Sequence, residues 1–270
     1  MSDLFASGIR PAIDEHLLKL AAEKRDYGNY WSASNAGYCH RKLIFERLGV
    51  PHTTEDDPRL QRVFTAGHIF HDWIQKLTRD AGLSIAQEVE LQDDKLMIRG
   101  HFGDLVLIKT PIVDTLGTSD LDELILYDYK TVNSKSFSYA RATDAPMSYY
   151  HKMQLATYMY LLRSPKLHMY DDDGKIMEIG LENLSEARIL KISKDDLRMD
   201  EQQLFWSDQL EQQVVKYWTE LKQEWDSQVI PPCTCADHEN GFMAREKFNP
   251  FYFNEQPCSM EWYEQWKAAQ

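Results

Sequence analysis

Four cysteines, one near the start of the chain and three near its end, constrain how this sequence can close on itself. Cys39 stands alone, and Cys233, Cys235 and Cys258 follow far downstream. A trio of thiols able to meet one distant thiol is the layout of a four-thiolate metal site, and thiolates select zinc or iron–sulfur clusters. Such a site would tie the N-terminal helices to the tail, removing loop entropy that grows slowly with the length enclosed. Zinc and a [4Fe–4S] cluster both accept four cysteines, so the residue types leave the metal open. His238 could replace one thiol in a zinc version. The plain alternative is four free buried thiols.

The remaining composition sets broad limits. The 270 residues suit one large domain or two small ones, and 43% hydrophobic with 27% charged residues is ordinary globular material. There is no run of ~18 apolar residues, so no membrane span is expected. Met1-Ser2-Asp3-Leu4 lacks a basic segment followed by an apolar one, so no secretory signal is expected and the cytoplasm is the expected location. Clustered cysteines there are better used on a metal than in disulfides. Thirty basic against forty-three acidic residues give a net charge of −13, which argues against broad non-specific nucleic-acid binding. A local basic groove remains compatible with it.

Periodicity predicts the elements. Residues 11–25 read as a helix with Leu17, Leu18, Leu20 and Ala21 on one face. Ser32 and Ser34 are candidate N-caps of a second helix through Cys39, Leu43, Ile44 and Leu48, stopped by Gly49 and Pro51. A third helix runs from about Pro58 to Asp80, its Val63, Ile69, Phe70, Trp73, Ile74 and Leu77 spaced to bury one side, and Gly82 ends it. Strands are expected at Val89–Leu91, Leu96–Gly100, Leu105–Ile108 and Leu124–Asp128, with a loop over Lys109–Asp122. Met147–Leu162 returns to helix, Ile176–Ile179 and Ala187–Ile192 read as strands, and Asp171-Asp172-Asp173-Gly174 as a hairpin turn. Residues 200–228 read as an amphipathic helix with Leu204, Leu210, Val214, Trp218, Leu221 and Trp225, followed by an irregular tail and a short helix near Trp262–Trp266. The simplest parse is one α/β domain. It divides into a helical N-terminal lobe (about 1–82), a core (about 83–195) and a C-terminal helix with the cysteine clamp (about 200–270).

The middle of the chain carries the chemistry. Asp104 opens one apolar strand, and Asp128 and Lys130 lie two apart at the end of another, hence on one face. Two carboxylates with a neighbouring ammonium form a hard-ligand site for Mg²⁺ or Mn²⁺. A metal there lowers the pKa of a bound water and neutralises charge building on a phosphate. An Asp-x-Lys pair is also what a solvated strand edge presents. Its company in order strengthens the chemical reading: Gly67-x-x-x-His71 upstream on a helix, and Gln154-x-x-x-Tyr158 downstream, where i and i+4 share a face. His68 competes with His71, and strand parity is expected to turn His101 away from Asp104.

The series Gly67-x-x-x-His71, Gly103-Asp104, Asp128-x-Lys130 and Gln154-x-x-x-Tyr158 resembles the RecB-like branch of the PD-(D/E)XK nuclease superfamily. Ser34-x-x-x-x-Cys39-x-Arg41-Lys42-Leu43 and the C-terminal cysteines look like its iron–sulfur members, the CRISPR-associated Cas-four-type exonucleases and the AddB nuclease domain. The resemblance runs from roughly residue 30 to 260 and implies a restriction-endonuclease-like core, a mixed central sheet flanked by helices. It implies His71, Asp104, Asp128 and the Tyr129 carbonyl as Mg²⁺ or Mn²⁺ ligands, Lys130 as the catalytic lysine, and Gln154 and Tyr158 as holders of phosphate or of that lysine. It favours a structural [4Fe–4S] cluster on Cys39, Cys233, Cys235 and Cys258, although relatives hold their C-terminal trio more compactly. The implied substrate is DNA, with single-stranded ends foremost, and Arg41, Lys42, Arg141 and Tyr150 are candidate contacts to it. A helicase, recombinase or CRISPR integrase partner is the corresponding expectation, and a non-catalytic DNA-end-binding subunit is the alternative.

Overall fold

The structure, a computed structural model, describes residues 8–22, 28–53, 57–114, 117–163, 167–170, 176–179, 181–235 and 249–270. His238 and the Asp171–Gly174 turn lie outside them.

Helix α1 (Ile9–Ala22) precedes a short strand β1 (Trp31–Ser32) and a 3₁₀ turn, Ala33–Asn35. Ser32 caps that turn without a side-chain hydrogen bond, and α2 (His40–Leu48) begins behind Cys39, so the two serines do not cap α2. Gly49 ends α2 in the left-handed region at φ 74°. Helix α3 (Pro58–Asp80) matches its expected limits: Asp57 accepts from the Arg59 amide, Pro58 fits the first turn, and Gly82 follows. Its apolar stripe is not all buried, however. Ile74 is 3% exposed, whereas Ile69 is 63% exposed and Val63, Trp73 and Leu77 also face outward.

The strands then follow: β2 (Ser84–Gln87), β3 (Glu90–Asp93), β4 (Ile98–His101), β5 (Asp104–Asp114) and β6 (Gly117–Val132). The loop expected over Lys109–Asp122 is instead the outer half of a β5–β6 hairpin, paired as far as Asp114 and Gly117. Beyond Leu107, β5 has no second neighbour among the described residues, which is where a sheet tolerates Pro111. Helices α4 (Ser134–Ala142) and α5 (Tyr149–Arg163) are followed by a small hairpin of β7 (Leu167–Tyr170) and β8 (Ile176–Ile179). Next come β9 (Glu186–Ser193) and β10 (Met199–Phe205), then α6 (Asp208–Asp226) and α7 (Met260–Ala268). The helix expected over 200–228 is thus two elements. Residues 199–205 pair antiparallel with β9, and Ser207 caps α6 by accepting from the Leu210 amide.

The main sheet runs β10-β9-β6-β5-β2, with β6 and β9 parallel and the other pairs antiparallel. It is a mixed sheet flanked by helices, as expected. A second sheet, β1-β4-β3, lies beside it. One face of the main sheet buries Leu105, Leu126, Ala187 and Ile189 against α5, with α6 outside. Trp218 and Thr157 are fully buried there and joined by a 3.0 Å hydrogen bond, so the Trp218–Leu221 stripe is core. The opposite face buries Val106, Ile125, Tyr127, Tyr129 and Ile192 against Ile74 of α3. No helix among the described residues is long and apolar enough to cross a membrane.

Candidate active site and cysteine centre

Between α3, the β4–β5 junction, the end of β6 and α5 lies a cleft of about 970 Å³. Asp128, Lys130, His71, Gln154 and Tyr158 all line it, as the spacing predicts. Gly67 lies on the cleft wall where α3 approaches β6, and a Cβ there would meet Thr131 Oγ1 at 3.4 Å, an ordinary contact. Lys130 Nζ donates to Gln154 Oε1 at 3.1 Å and stands 2.9 Å from Asp128 Oδ2. The second contact is an ion pair off the angle of a hydrogen bond. That buried oxygen therefore has no hydrogen-bond partner among the described residues, although the Asp128 side chain is only 9% exposed. A buried carboxylate oxygen without a donor, facing a polar cleft, is the kind of group a cation satisfies.

Asp104 does not join them. It is fully buried and absent from the cleft wall. Its Oδ2 accepts from Thr78 Oγ1 at 2.6 Å, Gln87 Nε2 at 2.8 Å and the Tyr129 hydroxyl at 2.7 Å, and its Oδ1 from Ser84 Oγ at 2.6 Å. The cause is register. Asp104 pairs with Tyr127, so it shares the α3 face with Tyr127 and Tyr129, while Asp128 and Lys130 face α5. Burial first, then the charge of Asp104, push the Tyr129 hydroxyl well above its ordinary pKa, which keeps it a donor to that carboxylate. A carboxylate saturated by four donors does not fit the metal-ligand role expected of it. Parity does separate His101 from Asp104, but in the opposite sense: His101 lines the cleft.

Among the groups that escaped the sequence reading are two that line the cleft and one buried neighbour of the Asp128–Lys130 pair. Glu88 is half-exposed in the cleft, and Lys194 lines it. His151 lies three residues before Gln154, a spacing that shares its helical face and could have marked it. Burial first, then the Lys130 and Lys191 charges, lower its pKa to about 4, against the pull of Asp128. Because the unfolded chain holds that proton up to a pKa of about 6.5, stability should fall as pH drops from about 6.5 towards 4, by at most about 3 kcal/mol. In EDTA-treated protein, His151→Gln should flatten that part of the urea-midpoint curve. Parallel acid losses in both proteins would refute the assignment.

The expected nucleic-acid contacts are placed elsewhere. Arg41 Nε donates to the Pro231 carbonyl at 2.6 Å and Nη1 to that of Cys258 at 3.3 Å. Lys42 is buried and paired with Glu46 at 2.6 Å. Burial pulls its pKa down, but Glu46 outweighs that and raises it. Tyr150 packs on Tyr38, with ring centroids 5.1 Å apart, beside the cysteines. Of these, Arg41 holds the tail to α2. Arg141 is exposed on α4 and does not line the cleft.

The four cysteines do meet. Their sulfurs all lie within 4.8 Å of one another, the one such grouping of His, Cys, Asp and Glu ligand atoms among the described residues. Cys39 Sγ is 4.0 Å from Cys233 Sγ, and Cys235 Sγ is 3.5 Å from Cys258 Sγ. The Thr234 amide donates to Cys39 at 3.4 Å, and Asn249 Nδ2 donates to Cys235 and Cys258 at 3.5 and 3.4 Å. Phe45, Phe251 and Tyr263 wall the centre. Hydrogen bonds among the thiols, from Cys233 first, together with burial, push the Cys235 and Cys258 thiols up. The set cannot ionise together without a cation.

No protein-family model matches the sequence, and no curated protein matches it. Among solved structures, SSO0001 superimposes with a TM-score of 0.45 at 13% identity, over 83% of this chain and 88% of that one. An alkaline exonuclease, LHK-Exo from Laribacter hongkongensis, gives 0.42 at 14% identity, over 74% and 91%. LHK-Exo in complex with dAMP gives 0.43 at 14%, over 75% and 92%. Likeness at that level carries no weight for function, which rests on the site itself.

Proposed function

We propose that this chain is a divalent-metal-dependent DNA nuclease with a PD-(D/E)XK core, acting on single-stranded ends. The observation that carries the reading is the cleft triad: Asp128 with an undonated buried oxygen, Lys130 beside it, and Gln154 holding the lysine. The expected metal ligands fit in part: Asp128 and His71 face the cleft, whereas Asp104 does not. A Mg²⁺ or Mn²⁺ held there would supply Lewis acidity towards water and phosphate. Lys130 places an ammonium where negative charge would build on a phosphate, and Gln154 fixes its position. Phe64, 56% exposed on the cleft wall, offers a face on which a splayed base can stack, which supports a single strand over a duplex. Division into an N-terminal lobe, a core and a clamped tail is part of the proposal, supported by the meeting of Cys39 with the C-terminal trio. A helicase, recombinase or integrase partner rests on the resemblance alone.

The test is incubation of linear and circular DNA, single- and double-stranded, with Mn²⁺, Mg²⁺ or EDTA. Linear single strands should be degraded and circles spared, with EDTA stopping the reaction. Cutting of circles would replace the exonuclease by an endonuclease. No cutting by protein that retains its cysteine-bound metal would favour a non-catalytic DNA-end-binding subunit. The withdrawal of Asp104 from the cleft is the observation on that side.

For the cysteine centre we infer a single structural zinc. Tetrahedral zinc with sulfurs at about 2.3 Å sets them roughly 3.8 Å apart. The 3.5 and 4.0 Å separations here support that, whereas a cluster of four irons and four sulfides must hold its thiolates wider apart. Metal analysis of anaerobically purified protein should find about one zinc per chain. Iron with acid-labile sulfide in its place would return the site to [4Fe–4S].

A further inference from the structure

The cleft is uneven in charge along its length. Its carboxylates gather where α3 carries His71. Asp72 is the next residue, Glu88 Oε1 lies 3.8 Å from His71 Nδ1, and a Cβ on Gly103 would lie 3.6 Å from both His71 Nε2 and Asp128 Cα. Among the described residues, Lys130 and Lys194 are the two lysine or arginine side chains that line the cleft. Lys130 is engaged by Asp128 and Gln154. The acids that follow Lys194 in sequence are bound elsewhere: Asp195 Oδ2 accepts from the Ser134 amide of α4 at 2.7 Å, and Asp196 pairs with Arg198 at 2.8 Å. In a chain of net charge −13, Lys194 thus brings into the cleft a cation that none of the described carboxylates pairs.

The backbone under this lysine is fastened. Its amide donates to the Val132 carbonyl at 2.8 Å, one step past the last β6–β9 pair. The Ser193 amide donates to the Arg198 carbonyl and the Leu197 amide to the Ser193 carbonyl, both at 2.9 Å, which closes the β9–β10 turn. Across the cleft, α3 runs alongside the end of β6. The His71 and Tyr129 rings have centroids 5.4 Å apart, and a Cβ on Gly67 would lie 3.4 Å from Thr131 Oγ1. From His71 back to Phe64 is about 10 Å of helix, and from Tyr129 on to Val132 is about 10 Å of strand. Phe64, 56% exposed on the cleft wall, therefore comes level with Lys194, at the end of the cleft away from the carboxylates. An open aromatic face and an unpaired ammonium at one end of a groove match the two parts of a nucleotide, its base and its phosphate.

We propose that Phe64 and Lys194 form a nucleotide subsite for single-stranded DNA, in which Lys194 holds a phosphate flanking the one at Lys130 and Phe64 stacks on the adjoining base. The strand then lies along the cleft, with the reacting phosphate at the Asp128–Lys130 end and the held nucleotide at the Phe64–Lys194 end. The inference rests on the nuclease reading for the identity of the strand. Its contacts are made on binding and need no cleavage, which is why its test reads binding.

Fluorescence anisotropy of labelled single-stranded oligonucleotides on the full-length protein, with no divalent ion added, is the measurement, and cleavage kinetics in Mn²⁺ are scored separately. Lys194→Gln should weaken binding by about five- to tenfold at about 50 mM salt and flatten the slope of log K against log [salt] by about 0.7, the share of one single-strand phosphate. Lys194→Arg should keep most of both. Phe64→Ala should cost about tenfold. One abasic nucleotide at the stacked position should cost the unmodified protein as much and the Phe64→Ala protein nothing further. A neutral methylphosphonate stepped along the strand should mark the Lys194 phosphate in the same way, next to that nucleotide. Lys216→Gln, which alters a lysine paired with Glu220 on α6 outside the cleft, should bind as the unmodified protein does. In cleavage, Lys194→Gln and Phe64→Ala should raise KM with little change in kcat. Undiminished affinity in either variant, an unchanged salt slope in Lys194→Gln, or abasic and methylphosphonate positions several nucleotides apart would overturn the proposal. Binding with the expected losses but no cutting of any DNA would leave the subsite standing and sink the nuclease reading. Cutting that Lys130→Ala abolishes, with binding and KM untouched by Lys194→Gln and Phe64→Ala, would do the reverse.

Discussion

Lys130→Ala is expected to reduce DNA cleavage by about 10²–10³-fold or more, the scale on which a single preorganised charge-stabilising donor acts, while leaving the fold in place. The side chain is 26% exposed and its partners are Asp128 and Gln154, both at the cleft rather than in the core. Its loss opens no cavity but leaves Asp128, whose side chain is only 9% exposed, without its ion pair. Unpairing a nearly buried charge costs up to about 3–5 kcal/mol, so the thermal midpoint of the cation-free protein should fall by about 10 °C. Cation binding should tighten rather than weaken, because the ammonium that now shares Asp128 Oδ2 repels a divalent ion. Lys130→Arg should not restore cutting, since a planar guanidinium cannot occupy the point-charge position that Gln154 fixes. Initial rates with Mn²⁺, melting curves and Mn²⁺ titration separate these effects. Cleavage within tenfold of the unmodified rate would remove Lys130 from the chemistry.

The parts of this site that could be read in the sequence are those set by a single element. Asp128 and Lys130 share a face because period two holds within β6, and Gln154 and Tyr158 meet the cleft because i and i+4 share a face within α5. Asp104 could not be placed from its own strand, because its face is set by register with the neighbouring one. It pairs with Tyr127, which puts it on the α3 side, one residue out of step with Asp128 on the α5 side. Glu88 was illegible for a related reason: it occupies a turn between two short strands, and only the tertiary approach of Gln75 and Gly103 gives it direction. Arg41 and Lys42 looked like a basic patch next to the motifs, yet the carbonyls and the acid they pair with lie in the tail and one helical turn away. The same limit explains residues 200–205, whose apolar spacing fits a helix until β9 supplies a strand partner.

Removal of the cysteine-bound metal is expected to have the largest effect on stability. Among the described residues, the tail meets the body at the thiols, at Arg41, which donates to the Pro231 and Cys258 carbonyls, and at a few further places. Tyr263 stacks on Phe45 with centroids 5.1 Å apart, Trp262 Nε1 donates to the Pro51 carbonyl, and the Thr53 amide donates to that of Pro250. Cys235 and Cys258 are 1% and 0% exposed, so without a cation they are buried thiols whose neighbours oppose ionisation. A structural zinc supplies about 10–16 kcal/mol of apparent binding free energy in small fingers. If about 5 kcal/mol of that couples to folding here, its loss lowers the melting temperature by about 10–20 °C. Cys258→Ser should reproduce the chelated state, and chelator should then have no further effect. The same coupling fixes the pH dependence, because ligand thiols must lose protons to bind: acid should release the metal and alkaline pH retain it. Limited proteolysis should cut first in the segment from residue 231 onward, well before the sheet. A chelated protein that melts with the loaded one, or a Cys258→Ser variant that keeps its metal, would show that the four thiols merely pack together.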